Sequence, residues 1–173
     1  DDVQFFSYDK TRLSTAWTPG NGDCTATPSV GAMGGAAPYW LSWTSHTTGN
    51  RTSQTAHTTG GDQTTAYTYP APTAPRPHAL SSTSGATSAS YSYDARGNTT
   101  SRPGPTAQQT LTWNDEGNLA TITEGSALSR YLYDADGVRL ITRDATGTTL
   151  HLPFGVEVHV NPGGGDATPT PIY

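Results

Sequence analysis

The sequence predicts an all-β fold in which antiparallel β-hairpins repeat along the chain and form a long meandering sheet. Three observations predict it. Gly, Pro and Thr number 19, 13 and 31 among 173 residues, a composition that disfavours helices. A motif of aromatic residues, an acid or amide and a glycine recurs every 20 residues in the second half of the chain. The nine tyrosines and four tryptophans suit pleated, half-buried strands.

Few residues are available to fill a hydrophobic core. Leu, Val, Ile and Phe together number 22, about 13% of the chain, and a compact core becomes doubtful below roughly 20%. Two interpretations follow: a disordered chain, or a β-structure whose small core is spread thinly along repeats. The modest net charge of -5 and the many aromatic rings favour the second interpretation.

Composition and charge also exclude several classes of protein. No apolar run is long enough for a transmembrane helix, and no charged segment followed by an apolar one marks a signal peptide. The mild acidity provides no basic surface for nucleic acid. We therefore expect no membrane span and no nucleic-acid partner.

Three copies of the motif lie in register at residues 91–100, 111–119 and 131–140, with their glycines spaced by 20 residues. We expect regular repeats over residues 91–145. The residues predicted to form the turns of these repeats are Tyr93, Asp94, Gly97, Trp113, Asn114, Gly117, Tyr133, Asp134 and Gly137.

The first regular copy shows how such a unit folds. Tyr91 and Tyr93 share one face of a strand because alternate strand residues point the same way. Asp94 then begins a turn, and its carboxylate is placed to accept from backbone N–H groups just ahead. Gly97 stands where the backbone needs a positive φ, and Thr99 starts the returning strand. Each unit is therefore a hairpin, which is marginal alone and must pair with its neighbours.

The copies before residue 91 are degenerate. The aromatic position of the motif runs 45, 69, 93, 113 and 133, and at its first occurrence Ser45 and His46 stand where Tyr and Asp would be. Within residues 1–85 we expect two loops rich in Gly or Pro, at 21–38 and 70–85.

The end of the chain departs from the 20-residue repeat. Alternating residues on either side of Pro153 predict terminal strands within 148–160. Glycines and prolines then predict a flexible tail over residues 161–173.

The motif YDARGN at residues 93–98 and the motif YDADG at 133–137 resemble YD repeats, and the flanking segment PYW at 38–40 resembles large secreted RHS proteins of actinobacteria. The chain is similar to the RHS (rearrangement hotspot) family, which includes teneurins, the C components of bacterial ABC toxins and large secreted proteins of actinobacteria. The similarity runs nearly from end to end.

This resemblance implies a sheet that spirals into a hollow shell, secreted or at the cell surface, around a C-terminal toxin. The implied partners are that toxin or effector domain and neighbouring YD repeats of the parent chain. Phe5 stands where such proteins often carry a cysteine, which would leave Cys24 unpaired. The chain is then expected to be a fragment of the shell.

Three functions are compatible with this sequence. The leading hypothesis is a non-enzymatic wall segment of such a shell, with no cofactor. The second is a carbohydrate-binding or adhesion module whose exposed rings, foremost Trp43 and Trp113, stack on glycans. The third and least favoured is a polysaccharide hydrolase, since paired acids on exposed turns lack the cleft that glycosidase chemistry requires.

Candidate catalytic and metal-ligating residues are sparse. Glu157 and His159 share a strand face and His151 precedes them, but a zinc site requires three or four closely placed ligands. Cys24 is a lone thiol, and a nucleophile requires a positioned base and an orienting group. We therefore predict no catalytic residue and no metal ligand.

Overall fold

The computed structural model describes residues 3–10, 12–163 and 168–171. These residues form sixteen β-strands and one short 3-10 turn, Val30–Ala32. The strands build two antiparallel sheets of seven and nine strands, and within each sheet consecutive strands are neighbours. The predicted all-β class and hairpin connectivity are confirmed, whereas the prediction of a single long sheet is wrong. No helix in the described part of the chain is long and apolar enough to cross a membrane.

The first sheet lies in the compact unit Asp1–Ser90. Its strands, in sheet order, are β1 (Phe5–Asp9), β2 (Arg12–Trp17), β3 (Trp40–Ser45), β4 (Arg51–Thr58), β5 (Gly61–Thr68), β6 (Ser82–Gly85) and β7 (Ala89–Ser90).

The second sheet lies in the compact unit Tyr91–Tyr173. Its strands are β8 (Ser92–Tyr93), β9 (Thr99–Pro103), β10 (Gln108–Trp113), β11 (Leu119–Glu124), β12 (Ala127–Tyr133), β13 (Arg139–Asp144), β14 (Gly147–Leu152), β15 (Val156–Val160) and β16 (Thr168–Pro171).

The two sheets meet along the chain at Tyr91 but share no strand. β7 pairs with β6, and this ladder ends at the pair Ser82–Ser90 because β6 begins only at Ser82. β8 pairs instead with β9, through Ser92 opposite Ser101. The pairing partner therefore changes within one short extended segment, which divides the predicted single sheet in two.

The loop predicted at 70–85 is shorter than expected, because its last four residues form β6. Ser82 and Thr83 pair with the end of β5, and the side chain of Thr83 is buried. Gly85 has a φ of +95°, and a Cβ there would lie 2.3 Å from the Thr64 carbonyl oxygen. Only a glycine permits this close approach. A run of Ser, Thr and Gly does not by itself predict a strand. These residues form one here because they pair with the edge of β5.

Four residues of the predicted tail lie in a strand. Thr168–Pro171 forms β16 and pairs antiparallel with β15, for example Thr170 opposite Glu157. Both prolines of β16 are tolerable in an edge strand, which has one unpaired side. Residues 164–167, 172 and 173 of the predicted tail lie outside the described residues.

A one-residue β-bulge recurs at the same place in five hairpins. In the β10–β11 hairpin, Trp113 faces Leu119 whereas Thr112 faces Thr121, so Ala120 is an extra residue on the returning strand. The same register shift occurs between Ser7 and Tyr8, Thr44 and Ser45, Ser92 and Tyr93, and Leu132 and Tyr133. Each bulge bends its strand and increases the local twist, so curvature is built into each of these five hairpins.

The hydrophobic core is small. Among the described residues, Ala16, Trp17 and Leu111 are the buried hydrophobic side chains, and Trp17 is fully buried. A backbone-bonded loop follows Trp17 directly: Tyr39 donates its N–H to the Thr18 hydroxyl at 3.0 Å, and Gly34 donates to the Thr18 carbonyl at 3.0 Å. The largest buried side chain therefore adjoins a long loop rather than a regular repeat.

Candidate functional site

The turn at Asp94 is built as a hydrogen-bonded loop. The Gly97 N–H donates to the Asp94 carbonyl at 3.1 Å, and Gly97 has a φ of +95°. One carboxylate oxygen of Asp94 accepts from the N–H groups of Arg96 and Asn98, both at 2.9 Å. Desolvation opposes ionisation of Asp94, but the hydrogen bonds from Asn98 and Arg96 outweigh it and lower the pKa of this carboxyl.

The next two turns repeat this geometry. Asn114 Oδ1 accepts from the Asn118 N–H at 2.7 Å, and Asp134 Oδ1 accepts from the Val138 N–H at 2.8 Å. Gly117 and Gly137 carry φ values of +85° and +79°. Asn and Asp are interchangeable here because each offers a side-chain oxygen to the backbone ahead.

A fourth turn of this kind lies in the degenerate region and uses a histidine. The Gly49 N–H donates to the His46 carbonyl at 2.9 Å, and Gly49 has a φ of +103°. His46 Nδ1 accepts from the Thr48 N–H at 3.3 Å, as Asp94 accepts from Arg96. His46 thus stands in the structural position of the motif acid.

The aromatic residues of the repeats are half-buried and held by the sheet. Trp113 donates its indole N–H to the Thr99 carbonyl at 2.8 Å, which ties β10 to β9. Tyr93 and Tyr133 precede their turn acids at the equivalent position. Arg96 donates to the Asp115 carbonyl at 2.9 Å, so successive turns are also linked to each other.

Trp43, the other ring proposed for glycan stacking, is engaged by protein groups. Its indole N–H donates to Gln54 Oε1 at 2.9 Å. The Arg51 guanidinium lies 5.6 Å from the centre of the Trp43 ring and 5.8 Å from that of Tyr67. Such distances are typical of cation–π contacts, so part of the Trp43 ring is already covered.

A row of three polar side chains that the sequence did not predict crosses β3, β4 and β5. Ser42 Oγ lies 2.8 Å from His57 Nε2, and His57 Nδ1 lies 2.7 Å from Asp62 Oδ1. We call these residues the Ser42 row. His57 also stacks on the Trp40 ring, with centroids 3.7 Å apart.

A second row has the same order of groups in the other sheet, across β13, β14 and β15. Thr142 Oγ1 lies 2.9 Å from His151 Nε2, and His151 Nδ1 lies 2.8 Å from Glu157 Oε1. We call these residues the Thr142 row. His159, which shares the Glu157 face, instead contacts the hydroxyl of Thr149 at 3.1 Å.

The proton positions in both rows follow from their chemistry. An ionised carboxylate only accepts hydrogen bonds, so the imidazole Nδ1 of each histidine carries a proton. In a neutral imidazole the other nitrogen, Nε2, is then an acceptor, and the hydroxyl must donate to it. In each row, therefore, the carboxylate fixes the tautomer of the histidine, and the hydroxyl donates to the histidine's other nitrogen.

The remaining candidates stay isolated. Cys24 is a free, half-buried cysteine. Within the described ranges, no group of three or more His, Cys, Asp or Glu side chains is arranged to hold a metal ion.

One sequence signal could have located the Ser42 row. Gly60 and Gly61 predict a turn between two strands. The observed ladder closes with Thr58 opposite Gly61, so the loop is Thr59 and Gly60 and His57 lies opposite Asp62. The partner hydroxyl is harder to predict, because Ser42 lies diagonally from His57 across the β3–β4 register.

A scan against models of known protein families and a search of curated proteins return no match to this chain.

Proposed function

We propose that the chain is a structural wall segment of a secreted shell, similar to those of YD-repeat proteins, that encloses or presents a C-terminal toxin or effector domain. The observation that supports this role most is the recurrence of one turn and one bulge in the three regular repeats. Asp94, Asn114 and Asp134 each bond the backbone of their own turn. Their oxygens are thus used for architecture.

The sheets themselves suit a wall. Among the described residues, each sheet has two end strands with one strand neighbour apiece, β1 and β7 in one sheet and β8 and β16 in the other. Unpaired strand edges are templates for further pairing, so neighbouring repeats of a parent chain could extend both sheets. A repeated bulge gives such an extended sheet a consistent bend.

The proposed mechanism is containment, which requires no cofactor and no reacting group. The sheet surface of such a wall keeps the cargo chain from folding or acting prematurely. The rigidity of such a wall comes from backbone ladders and turn bonds rather than from a large core, in agreement with the three buried hydrophobic side chains among the described residues.

Limited proteolysis of the natural polypeptide that carries this chain tests containment. We expect its C-terminal domain to be cleaved far more slowly than the same domain produced alone. A matched variant in which Gly97, Gly117 and Gly137 are all replaced by alanine should lose this protection, since all three have a positive φ. Equal cleavage of the enclosed and isolated domains would contradict the proposal.

Carbohydrate binding is the second candidate, and one cavity favours it. The cavity has a volume of about 260 Å³, and no Asp, Glu, Lys or Arg is among its lining residues. Tyr69 and Pro72 contribute apolar walls, while Asn50 and His78 contribute polar groups that hydrogen-bond to each other at 2.7 Å. Apolar walls with a few polar groups are usual for small neutral ligands.

Calorimetric titration with neutral oligosaccharides tests this second candidate. Binding should be lost in Tyr69→Ala and retained in Trp43→Phe, because Trp43 does not line the cavity. Silence across the oligosaccharides, or equal losses in both variants, would rule out this site.

A further inference from the structure

The Ser42 row has an arrangement that containment does not require. We propose that Ser42 is a nucleophile that accepts acyl groups from small apolar esters, with His57 as its general base and Asp62 as the residue that orients the imidazole. This activity is independent of the proposed shell role, since it depends on three neighbouring strands of one sheet.

The geometry matches the needs of an activated serine. His57 offers Nε2 to Ser42 Oγ at 2.8 Å and Nδ1 to Asp62 at 2.7 Å. These are the nitrogens that a serine–histidine–aspartate triad uses for its nucleophile and its carboxylate. Because Asp62 fixes the proton on Nδ1, the lone pair of Nε2 points at the Ser42 hydroxyl.

The imidazole is held on a rigid support. The side chain of His57 is 13% exposed, and its ring stacks on Trp40 at a centroid distance of 3.7 Å. β3 and β4 are both interior strands of the seven-stranded sheet. Catalytic groups on packed, paired strands are positioned more precisely than groups on loops.

A cavity beside the imidazole defines the class of substrate. Its volume is about 260 Å³, below the usual range for drug-sized ligands. His57 lines it together with Met33, Pro38, Tyr39, Trp40, Leu41, Ala56, Thr58 and Thr59. Ser42 is not a lining residue, and it adjoins the cavity through its 2.8 Å contact with His57. Such a space suits a short acyl chain or a single ring held against the imidazole and offers no Asp, Glu, Lys or Arg to an ionic substrate.

The proposed reaction transfers an acyl group and balances as follows. Ser42 Oγ bonds to the ester carbonyl carbon while its proton passes to His57 Nε2. The carbon–oxygen bond to the alkoxide then breaks, and the alkoxide takes the proton from His57 and leaves as the alcohol. Water repeats these steps on the acyl-serine and releases the carboxylic acid, which restores Ser42 and His57.

Acylation is expected to be slow. β3 is paired on both sides, so its backbone N–H groups serve the ladders with β2 and β4. Dedicated donors to a developing oxyanion contribute about 10²–10³-fold in serine hydrolases. The covalent adduct on Ser42 is therefore a more sensitive readout than turnover.

A fluorophosphonate probe provides that readout. Ser42 Oγ bonds to phosphorus, the phosphorus–fluorine bond breaks, and the serine proton leaves with fluoride through His57. We expect intact mass spectrometry to show one adduct per chain and peptide mapping to place it on Ser42. Ser14, whose hydroxyl contacts Ser7 rather than an imidazole, should remain unmodified.

Variants show whether the Ser42 hydroxyl is activated by His57 or is merely accessible to the probe. His57→Gln removes the base and should slow labelling by about 10²-fold or more, and Asp62→Asn should slow it through loss of the fixed tautomer. Thr142→Ala, in the other sheet, should leave labelling unchanged. Circular dichroism checks that each variant is folded.

Two results would overturn the proposal. One is a folded wild-type chain without an adduct on Ser42 after prolonged exposure to the probe. The other is labelling of Ser42 at the same rate in wild type and in folded His57→Gln, which would show a merely accessible hydroxyl. Should His57→Gln fail to fold, Asp62→Asn decides instead, and labelling of Ser42 at the wild-type rate in folded Asp62→Asn would equally refute activation by an imidazole that this carboxylate orients.

Discussion

The Ser42 row and the Thr142 row contain the same sequence of groups but lie in different surroundings. The Ser42 row lies in a unit with long loops, beside a stacked tryptophan and a cavity. The Thr142 row lies in a unit whose hairpins are joined mostly by short turns, and where Leu111 is the buried hydrophobic side chain among the described residues. Hairpin repetition thus produces cross-strand polar rows, and at one of them the loop before β3 helps to line a cavity beside the histidine.

The two rows also differ in their hydroxyl and carboxyl residues. The first has a primary hydroxyl and an aspartate, whereas the second has a β-branched Thr142 and the longer Glu157. Side-chain exposure is 13% for His57 and 18% for His151, so burial of the base is nearly equal. The two rows therefore differ in the groups beside each imidazole, which at His57 are the Trp40 ring and a cavity. Four experiments compare the two units that contain them.

Removal of the largest buried side chain should have the greatest effect. Trp17→Ala should destabilise the unit Asp1–Ser90 by about 3–5 kcal/mol because it leaves a large cavity. Leu111→Ala is the matched change in the other unit and should cost about 2–5 kcal/mol. Urea denaturation followed by hydrogen exchange of each unit measures both effects.

The control for Trp17 is Trp17→Phe, which retains most of the buried ring. The buried indole N–H of Trp17 has no hydrogen-bond partner among the described residues, so its removal relieves an unsatisfied donor. The loss should be much smaller than for alanine. If Trp17→Ala lowers the free energy of unfolding less than Leu111→Ala does, the buried ring beside the long loop does not stabilise its unit more than Leu111 stabilises the other.

The two histidines provide the second comparison. His57→Ala and His151→Ala each remove two hydrogen bonds, worth about 0.5–1.5 kcal/mol apiece. His57→Ala also removes the Trp40 stack, worth about a further 0.5–1.5 kcal/mol. We expect His57→Ala to lower the free energy of unfolding more, as measured by urea denaturation. Equal losses would show that the stack contributes nothing.

The turn glycines provide the third comparison. Gly49 and Gly117 have φ values of +103° and +85°, and a Cβ at either would meet no atom within 4 Å. Alanine at each should therefore cost about 1–2 kcal/mol through backbone strain alone, as measured by the urea midpoint. Gly117→Asn should recover part of the loss, since asparagine tolerates a positive φ. A cost at Gly117 but not at Gly49 would show that the His46 turn is not equivalent to the motif turns.

Sequence reasoning located these turns because their determinants are local. Asp94 and Gly97 are three residues apart, and the bond from the Gly97 N–H to the Asp94 carbonyl closes the turn between them. A side-chain acceptor and a residue free to take a positive φ define such a turn without reference to the rest of the chain.

The division at Tyr91, the strand β6 and the Ser42 row depend on register, which is not local. A shift of one residue moves every side chain to the other face of a sheet, and five bulges introduce such shifts here. The approach of Ser42 to His57 follows from the β3–β4 register beyond the bulge at Thr44. A pattern of residue types alone does not carry that information.

The smallest expected effect concerns acid, and it separates two carboxylates. Glu124 accepts from the Gln109 amide at 2.8 Å and from the Thr106 hydroxyl and N–H, both at 2.7 Å, so it anchors residues 104–107 to β11. These bonds, with Gln109 the largest contributor, lower the pKa of Glu124 from 4.5 to about 2. Asp23, whose pKa is lowered mainly by the neighbouring Thr25, anchors only its own turn.

Because the folded-state pKa of Glu124 is depressed, its contribution to stability is complete above about pH 4.5 and is lost as the pH falls towards 2. The amide resonance of Thr106 should therefore titrate by NMR with a midpoint near 2, and Glu124→Gln should abolish that titration while Asp23→Asn leaves it unchanged. A midpoint near 4.5 would show that the carboxylate does not hold this loop. The loop at residues 104–107 would then be closed by the backbone bond from the Gly104 N–H to the Ala107 carbonyl. A side chain from a neighbouring strand would hold the Ser42 and Thr142 rows but not this loop.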